Sequence, residues 1–277
     1  MKVALFSSML VLLWFGFTGA AIADQPQETT EQHPVISIIM DDMGNRLQDG
    51  RKALELPGAI TYSFLPHTPY ARRMAEQAHS KGKQVMLHLP MEAHSGKDLG
   101  PGGMDQHMTE QQFLQTLAEG LNSVPHVVGL NNHMGSLLTQ NQEAMGWLMQ
   151  GMREYADGKL FFVDSRTTSL TVAEQLAREN QVPTTGRDVF LDNERDPDYI
   201  RAQFQQLIRR ARNNGQAIGI AHPYPETIAT LAEELNKLEA TGVRLISVSQ
   251  ILQMQQKNVP QQASLSPAPT EVKNSKP

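Results

Sequence analysis

A nearly unbroken apolar run over residues 35–40 ends in two adjacent carboxylates, Asp41 and Asp42, and a glycine turn at Gly44. A strand that is apolar on both faces is typical of a parallel sheet covered by helices, because neither face meets water. The carboxyl ends of such strands open onto the crevice where ligands bind. Adjacent carboxylates raise each other's pKa unless a cation accompanies them. The run therefore predicts either a metal site or a strand-ending turn in which one aspartate caps the next helix.

The two ends of the 277-residue chain differ from its middle. Residues 1–23 combine a charged start, a long apolar stretch and a small-x-small cleavage site, which predicts a signal peptide and a periplasmic or secreted protein without a membrane span. An uncleaved anchor is the alternative, since the apolar stretch is long enough to cross a bilayer. Residues 24–33 are predicted to be a flexible leader, and residues 255–277 a disordered tail. Residues 34–254 show no break in composition and are predicted to form a single domain.

Composition excludes several classes of function. The chain has no cysteine, which excludes disulfides, thiolate zinc sites and cysteine nucleophiles. The hydrophobic core must therefore hold the fold unaided. A net charge of −5 and the lack of any basic run argue against a nucleic-acid partner.

Strand-like and helix-like stretches alternate through the domain, which predicts right-handed crossovers and a parallel sheet. After the first strand, strands are predicted at 59–64, 84–89, 127–130, 160–163, 188–191, 217–221 and 243–248. Helices are predicted at 69–82, 197–214 and 225–240, and after capping boxes beginning at Thr109, Thr139 and Thr171. This number of units fits a closed or nearly closed barrel better than an open sheet.

Polar side chains recur at the ends of the predicted strands, on the rim where barrel enzymes place their catalytic groups. They are His88, Glu92, Asn131, Asn132, His133, Asp164, Arg166, Asp192 and His222. Taken singly, each also has a structural explanation, such as a hydrogen-bonded core histidine or a turn. Together, a carboxylate with two or three imidazoles is a ligand set suited to zinc with an open position. The spacing therefore predicts a metal site.

These motifs resemble those of the polysaccharide deacetylases of the carbohydrate esterase group, most closely the divergent polysaccharide deacetylases. The resemblance covers residues 36–252. It rests on the Asp-Asp-x-Gly turn and on the segments 88–92, 129–136, 162–166 and 222–223. It implies a distorted (β/α)7-type barrel with a divalent metal, usually zinc, at the C-terminal rim.

The resemblance also implies roles for three residues. Asp41 corresponds to the family's general base, Asp42 to its metal-binding aspartate and His222 to its general acid. The implied reaction is hydrolysis of an acetamide on an N-acetylated envelope glycan, with the metal activating water and polarising the carbonyl. A backbone N–H near Asn132 is expected to help hold the oxyanion.

This chain departs from the family pattern at the second metal motif, where a second histidine is usual. His88 is instead followed four residues later by Glu92. Either Glu92 or His133 would then supply the third ligand. We favour His133, since a neutral ligand keeps the metal more electrophilic than a second carboxylate.

The family's Arg-containing third motif is also missing. Arg166 is a candidate for its role, which is to hold Asp41 or Asp164 ionised. The missing motif favours an alternative function, in which a catalytically silent barrel binds glycan or an envelope protein. Retention of Asp41, Asp42 and His222 favours an enzyme. A phosphoester or amide hydrolase on the same rim is disfavoured, because no Gly-rich phosphate-binding loop is present.

Overall fold

The computed structural model describes residues 33–258. The predicted signal peptide over 1–23, the leader up to residue 32 and the tail from residue 259 lie outside the described residues. Among the residues that are described, no helix is both long and apolar enough to cross a membrane.

A curled parallel sheet forms the centre of the described chain. Its strands are β1 Val35–Met43, β2 Thr61–Phe64, β3 Gln84–Met91, β4 Val127–Met134, β5 Phe161–Asp164, β6 Thr184–Gly186, β7 Val189–Phe190, β8 Gln216–Ala221 and β9 Arg244–Leu245. Eight of them follow the order β6-β5-β4-β3-β2-β1-β8-β7, and β9 pairs with β1. The eight strands curl into a half-barrel, which confirms the predicted distorted (β/α)7-type fold.

Helices pack on both faces of this sheet, with the last of them on the inner face. They are α1 Leu47–Leu54, α2 Ala71–Ser80, α3 Glu110–Ser123, α4 Gln142–Glu154, α5 Ala173–Glu179, α6 Pro197–Asn214, α7 Pro225–Lys237 and α8 Val248–Asn258. The residues at the two ends of α6 mark where this helix begins and ends, and the predicted bounds of 197–214 are confirmed. Asp196 caps the backbone N–H of Tyr199, Pro197 opens the helix, and Gly215 closes it at φ 79° in the left-handed region.

The predicted capping boxes had different outcomes. The box at Thr109 is confirmed at the start of α3. The boxes at Thr139 and Thr171 are wrong. Thr139 lies inside a short 3₁₀ turn, so Asn141 caps α4 instead. The side chain of Thr171 is not the cap of α5, because that helix begins after Val172.

Two regions extend beyond the predicted bounds. Strands β3 and β4 continue pairing through Pro90–His133 and Met91–Met134, so both strands extend further at their C-terminal ends than predicted. At the other end, α8 continues to Asn258, and residues 255–258 are helical rather than disordered as predicted. Helix α8 forms because its apolar side chains, including the fully buried Ile251, pack into the smaller of two core clusters.

Candidate metal centre

Strand alternation decides which side chains face the inside of the barrel. In β1, Val35 and Ile39 belong to the inner cluster, while the intervening even-numbered residues pack outward. The same parity brings Asp41 to the inner face at the rim, because successive side chains point to opposite faces. His88 comes two residues after Met86 in β3, and His222 two residues after Ile220 in β8, so both histidines also point inward. Inward-facing polar side chains of these strands, and Asn131 and His133 of β4, thus converge above one apolar layer.

Asp42 has the opposite parity and reaches the same space through a bulge. The pairing of β1 with β2 shifts register between Met40 and Met43. Asp42 adopts φ 55°, in the left-handed region that a non-glycine residue rarely occupies. The irregularity lets two consecutive aspartates face one site.

Asp42, His88 and His133 form a compact three-residue cluster. The Oδ1 atom of Asp42 lies 2.9 Å from Nδ1 of His133 and 3.3 Å from Nε2 of His88. The two imidazole nitrogens lie 3.1 Å apart. Ligand atoms about 2.0–2.2 Å from a tetrahedral zinc ion are separated by about 3.3 Å, so this triangle has the size of three zinc ligands.

One atom of this cluster is buried without a hydrogen-bond partner among the described residues. The Oδ1 atom of Asp42 is buried, and no donor among the described residues makes an aligned hydrogen bond to it. Buried polar atoms without a partner are rare and call for a physical explanation. A cation between Asp42 and the two histidines supplies one, and the set of one carboxylate and two imidazoles suits zinc.

Asn131 joins Asp41 to His88. Its Nδ2 donates to both carboxylate oxygens of Asp41, at 3.0 Å each. Its Oδ1 accepts from the Ser63 hydroxyl at 2.6 Å and faces Nδ1 of His88 at 2.9 Å. Because an amide oxygen only accepts, Nδ1 of His88 carries the proton and Nε2 presents its lone pair to the cluster.

Burial and neighbouring charges shift the pKa values of these groups. Burial raises the pKa of Asp41 despite the opposing charges of His88 and His222. Burial would also raise the pKa of Asp42, but His133 and His88 outweigh it and lower that pKa. For His88, burial is outweighed by the two aspartates, so its pKa is raised.

His222 reaches the cluster from β8 and is held by Asp192. Its Nε2 lies 3.9 Å from Oδ2 of Asp42, and its Nδ1 lies 3.0 Å from Oδ1 of Asp192. The other oxygen of Asp192 accepts from the backbone N–H of His222 and from the hydroxyl of Thr227. Burial lowers the pKa of His222, but the contact with Asp192 outweighs it and raises the pKa to about 9.

Four predicted candidates lie outside this cluster. The carboxylate of Glu92 accepts from the backbone N–H of Gln106, and only Asp42, His88 and His133 group as a metal site within residues 33–258. Of the two candidates for the third ligand, His133 is the one that lies within the cluster. Asn132 lies between Asn131 and His133 in β4, so its side chain points to the opposite, outer face of the sheet. Its side chain accepts from the N–H of Ser165, which ties the ends of β4 and β5 together.

Asp164 and Arg166 stabilise the loop after β5 rather than the metal cluster. Asp164 accepts from the N–H of Arg166 and the hydroxyl of Thr171, both at 2.8 Å. Burial raises the pKa of Asp164. The guanidinium of Arg166 pairs with Glu174 at 2.7 Å. Asn131, and not Arg166, donates to both oxygens of Asp41, whereas the backbone N–H and the charge of Arg166 lower the pKa of Asp164 against the effect of burial.

The sequence matches the family model described as divergent polysaccharide deacetylase over residues 38–252. The chain belongs to this family. The matched span includes every residue of the cluster and both of its carboxylate–histidine contacts. The polysaccharide deacetylase motifs from which the site was predicted thus lie within the family domain.

This deacetylase family member is also similar to individual proteins and to solved structures. The chain is 36% identical to YibQ of Escherichia coli K12 over 217 residues, which cover 78% of this chain and 67% of YibQ. A protein of Haemophilus influenzae is 35% identical over 203 residues, covering 73% of this chain and 71% of the relative. The crystal structure of ATU2773 from Agrobacterium tumefaciens C58 aligns with a TM-score of 0.75 at 24% identity, over 79% of this chain and 89% of that chain. This last similarity supports the fold.

Proposed function

We propose that this divergent polysaccharide deacetylase is an active hydrolase that removes the acetyl group from an N-acetylated glycan of the cell envelope. The observation that carries the proposal is the contact of two proton-transfer groups with one ligand cluster. Asp41 lies 3.6 Å from Nε2 of His88, and His222 lies 3.9 Å from Asp42. A base, an acid and a cation-binding cluster on one rim are the groups that amide hydrolysis requires.

Asp42, His88 and His133 would hold a divalent metal, which we propose to be zinc. When bound, such an ion polarises the acetyl carbonyl and makes a water easier to deprotonate. The protein holds His88 in the tautomer that leaves Nε2 free, through the bond from its Nδ1 to Asn131. The bulge at Asp42 keeps the carboxylate beside both imidazoles.

Asp41 would act as the general base. The residue is 2% exposed, and the amide of Asn131 fixes both oxygens, so the carboxylate is oriented before substrate arrives. A buried carboxylate whose pKa is raised is also a stronger base than an exposed one. Asp41 would take the proton of the attacking water on Oδ2, the oxygen that faces His88.

His222 would act as the general acid. Its contact with Asp192 keeps the imidazole protonated at neutral pH, with Nδ1–H donating to Oδ1 of Asp192. Nε2–H then faces the cluster and can pass its proton to the departing amine nitrogen. Asp192 orients the ring.

The envelope glycan and the exported location are parts of the same proposal. The signal peptide predicted over residues 1–23 supports export, which would bring the rim next to envelope polysaccharide. Zinc-loaded protein should release acetate from N-acetylated oligosaccharides, and Asp41→Asn should not. If zinc-loaded native protein releases no acetate from any N-acetylated glycan yet binds one, the silent glycan-binding barrel replaces the enzyme.

A further inference from the structure

His222 lies in a row of stacked groups that ends in an arginine on each side. Its ring centroid is 5.3 Å from that of Phe190 and 5.5 Å from that of Tyr224. The guanidinium of Arg187 lies 5.2 Å from the centroid of Phe190, and that of Arg195 lies 3.6 Å from the centroid of Tyr224. These are the two cation–π contacts found across residues 33–258, and both involve a ring beside His222.

The two guanidiniums differ in what their N–H groups bind. Arg187 donates to the backbone carbonyls of Ser165 and Arg166, at 2.8 and 3.0 Å, so its role is to hold the loop. Within the described part of the chain, Arg195 makes no hydrogen bond and has no carboxylate oxygen within 4.0 Å. By contrast, the guanidinium of Arg201 on α6 lies 2.7 Å from Asp198.

Stacking fixes a guanidinium by its face and leaves its N–H edge available. Arginine presents that edge as a planar fork that matches a carboxylate or a phosphate. Arg195 is thus a cation held on the ring that stacks against the candidate general acid, with its donors uncommitted.

We propose that Arg195, held on Tyr224, binds an anionic substituent of the glycan. This inference rests on the proposed function, since His222 marks the position of the departing amine. The anion therefore belongs to the sugar that carries the acetamide or to its neighbour. The substrate class becomes an N-acetylated glycan with a carboxylate or phosphate close to the acetamido group, rather than a neutral N-acetylated polymer.

Binding is measured by calorimetry on zinc-loaded Asp41→Asn protein, so that no turnover occurs. The carboxylate probe is the disaccharide of N-acetylglucosamine and N-acetylmuramic acid, compared with its methyl ester. The phosphate probe is di-N-acetylchitobiose bearing a phosphate monoester, compared with the unmodified sugar. We expect one anionic probe to bind ~10-fold tighter than its neutral counterpart, as a charge-assisted bidentate contact allows. The probe with the larger preference identifies the anion.

Arg195→Gln in the same background should abolish the preference, and Arg195→Lys should keep part of it, because lysine retains the charge without the fork. Arg209→Gln, at an exposed position on α6, should leave the preference unchanged. Equal binding of charged and neutral probes by protein with Arg195 intact, or a preference that survives Arg195→Gln, overturns the proposal. Acetate release from the charged and the neutral probes by the zinc-loaded native enzyme is measured separately, and its absence with all of them contradicts the proposed hydrolysis rather than the anion site.

Discussion

Asn131 makes hydrogen bonds with every polar atom of its side chain inside the rim. Its Nδ2 donates to Asp41 and, at 3.2 Å, to Ser165. Its Oδ1 accepts from the hydroxyl of Ser63 and from Nδ1 of His88. The side chain is fully buried. One neutral residue therefore orients both the candidate base and a candidate metal ligand.

We expect Asn131→Ala to lower both zinc affinity and kcat/KM by about 10–100-fold, as is typical when a residue that orients a metal ligand is lost. Zinc titration and acetate release measure the two effects. Ser63→Ala is the matched control. It removes one donor to Asn131 but leaves both bonds to Asp41, so its effect should be smaller. Native zinc affinity and activity in Asn131→Ala would show that the network has no functional role.

Asp192 controls the protonation of His222. Its loss should lower the pKa of His222 from about 9, because burial then acts without the opposing carboxylate. A general acid works only while protonated, so kcat/KM should fall as pH rises through that pKa. In Asp192→Asn this alkaline decline should therefore begin at a lower pH. Superimposable pH profiles for the native and variant proteins would contradict the assignment of His222 as the acid.

At the level of strands and helices, the sequence carries most of the fold in its apolar runs. The parity of β1, β3 and β8 places Asp41, His88 and His222 on one face, and the same alternation in β4 points to Asn131 together with His133. No pattern in the sequence predicts the bulge at Asp42, because the bulge depends on the register that β1 adopts against β2. Strand β6 was missed because its three residues are too few and too polar to form a recognisable run.

Helix α8 gives a stability prediction at this scale. Ile251 is fully buried in the inner core cluster, so Ile251→Ala should destabilise the protein by about 2–5 kcal/mol. Gln253→Ala, at an exposed position of the same helix, should change the free energy of unfolding by less than about 0.5 kcal/mol. Urea unfolding of the two variants makes the comparison. Equal stabilities would mean that α8 does not close the inner core.

At the level of the whole molecule, the strand–helix alternation and the rim residues predicted the barrel and the family. Tertiary contacts decided the rest. Glu92 and Arg166 were candidates for the site because of their charges. In the structure, however, Glu92 accepts from the backbone N–H of Gln106 and Arg166 pairs with Glu174. Sequence spacing alone does not predict those partners, because a loop has no periodic pattern that shows which way its side chains point.

The exported location leads to a prediction about the mature chain. If residues 1–23 form a cleaved signal peptide, protein purified from its native host should begin at Asp24. Intact-mass measurement and N-terminal peptide sequencing test this directly. An N-terminus that retains residues 1–23 would favour the membrane anchor instead.

Paired substitution of the two adjacent aspartates tests the proposed division of roles at the metal centre. Asp42→Asn should lose most bound zinc, since an amide oxygen is a poorer ligand for a dication than a carboxylate. Asp41→Asn should keep its zinc but lose about 10²–10⁴-fold in rate, as expected for a missing general base.

Zinc content and acetate release are measured side by side on the two variants and the native protein. We expect native zinc content with little acetate release in Asp41→Asn, and loss of both in Asp42→Asn. Equal zinc loss in both variants, or full acetate release by Asp41→Asn, would contradict the assignment of Asp42 as ligand and Asp41 as base.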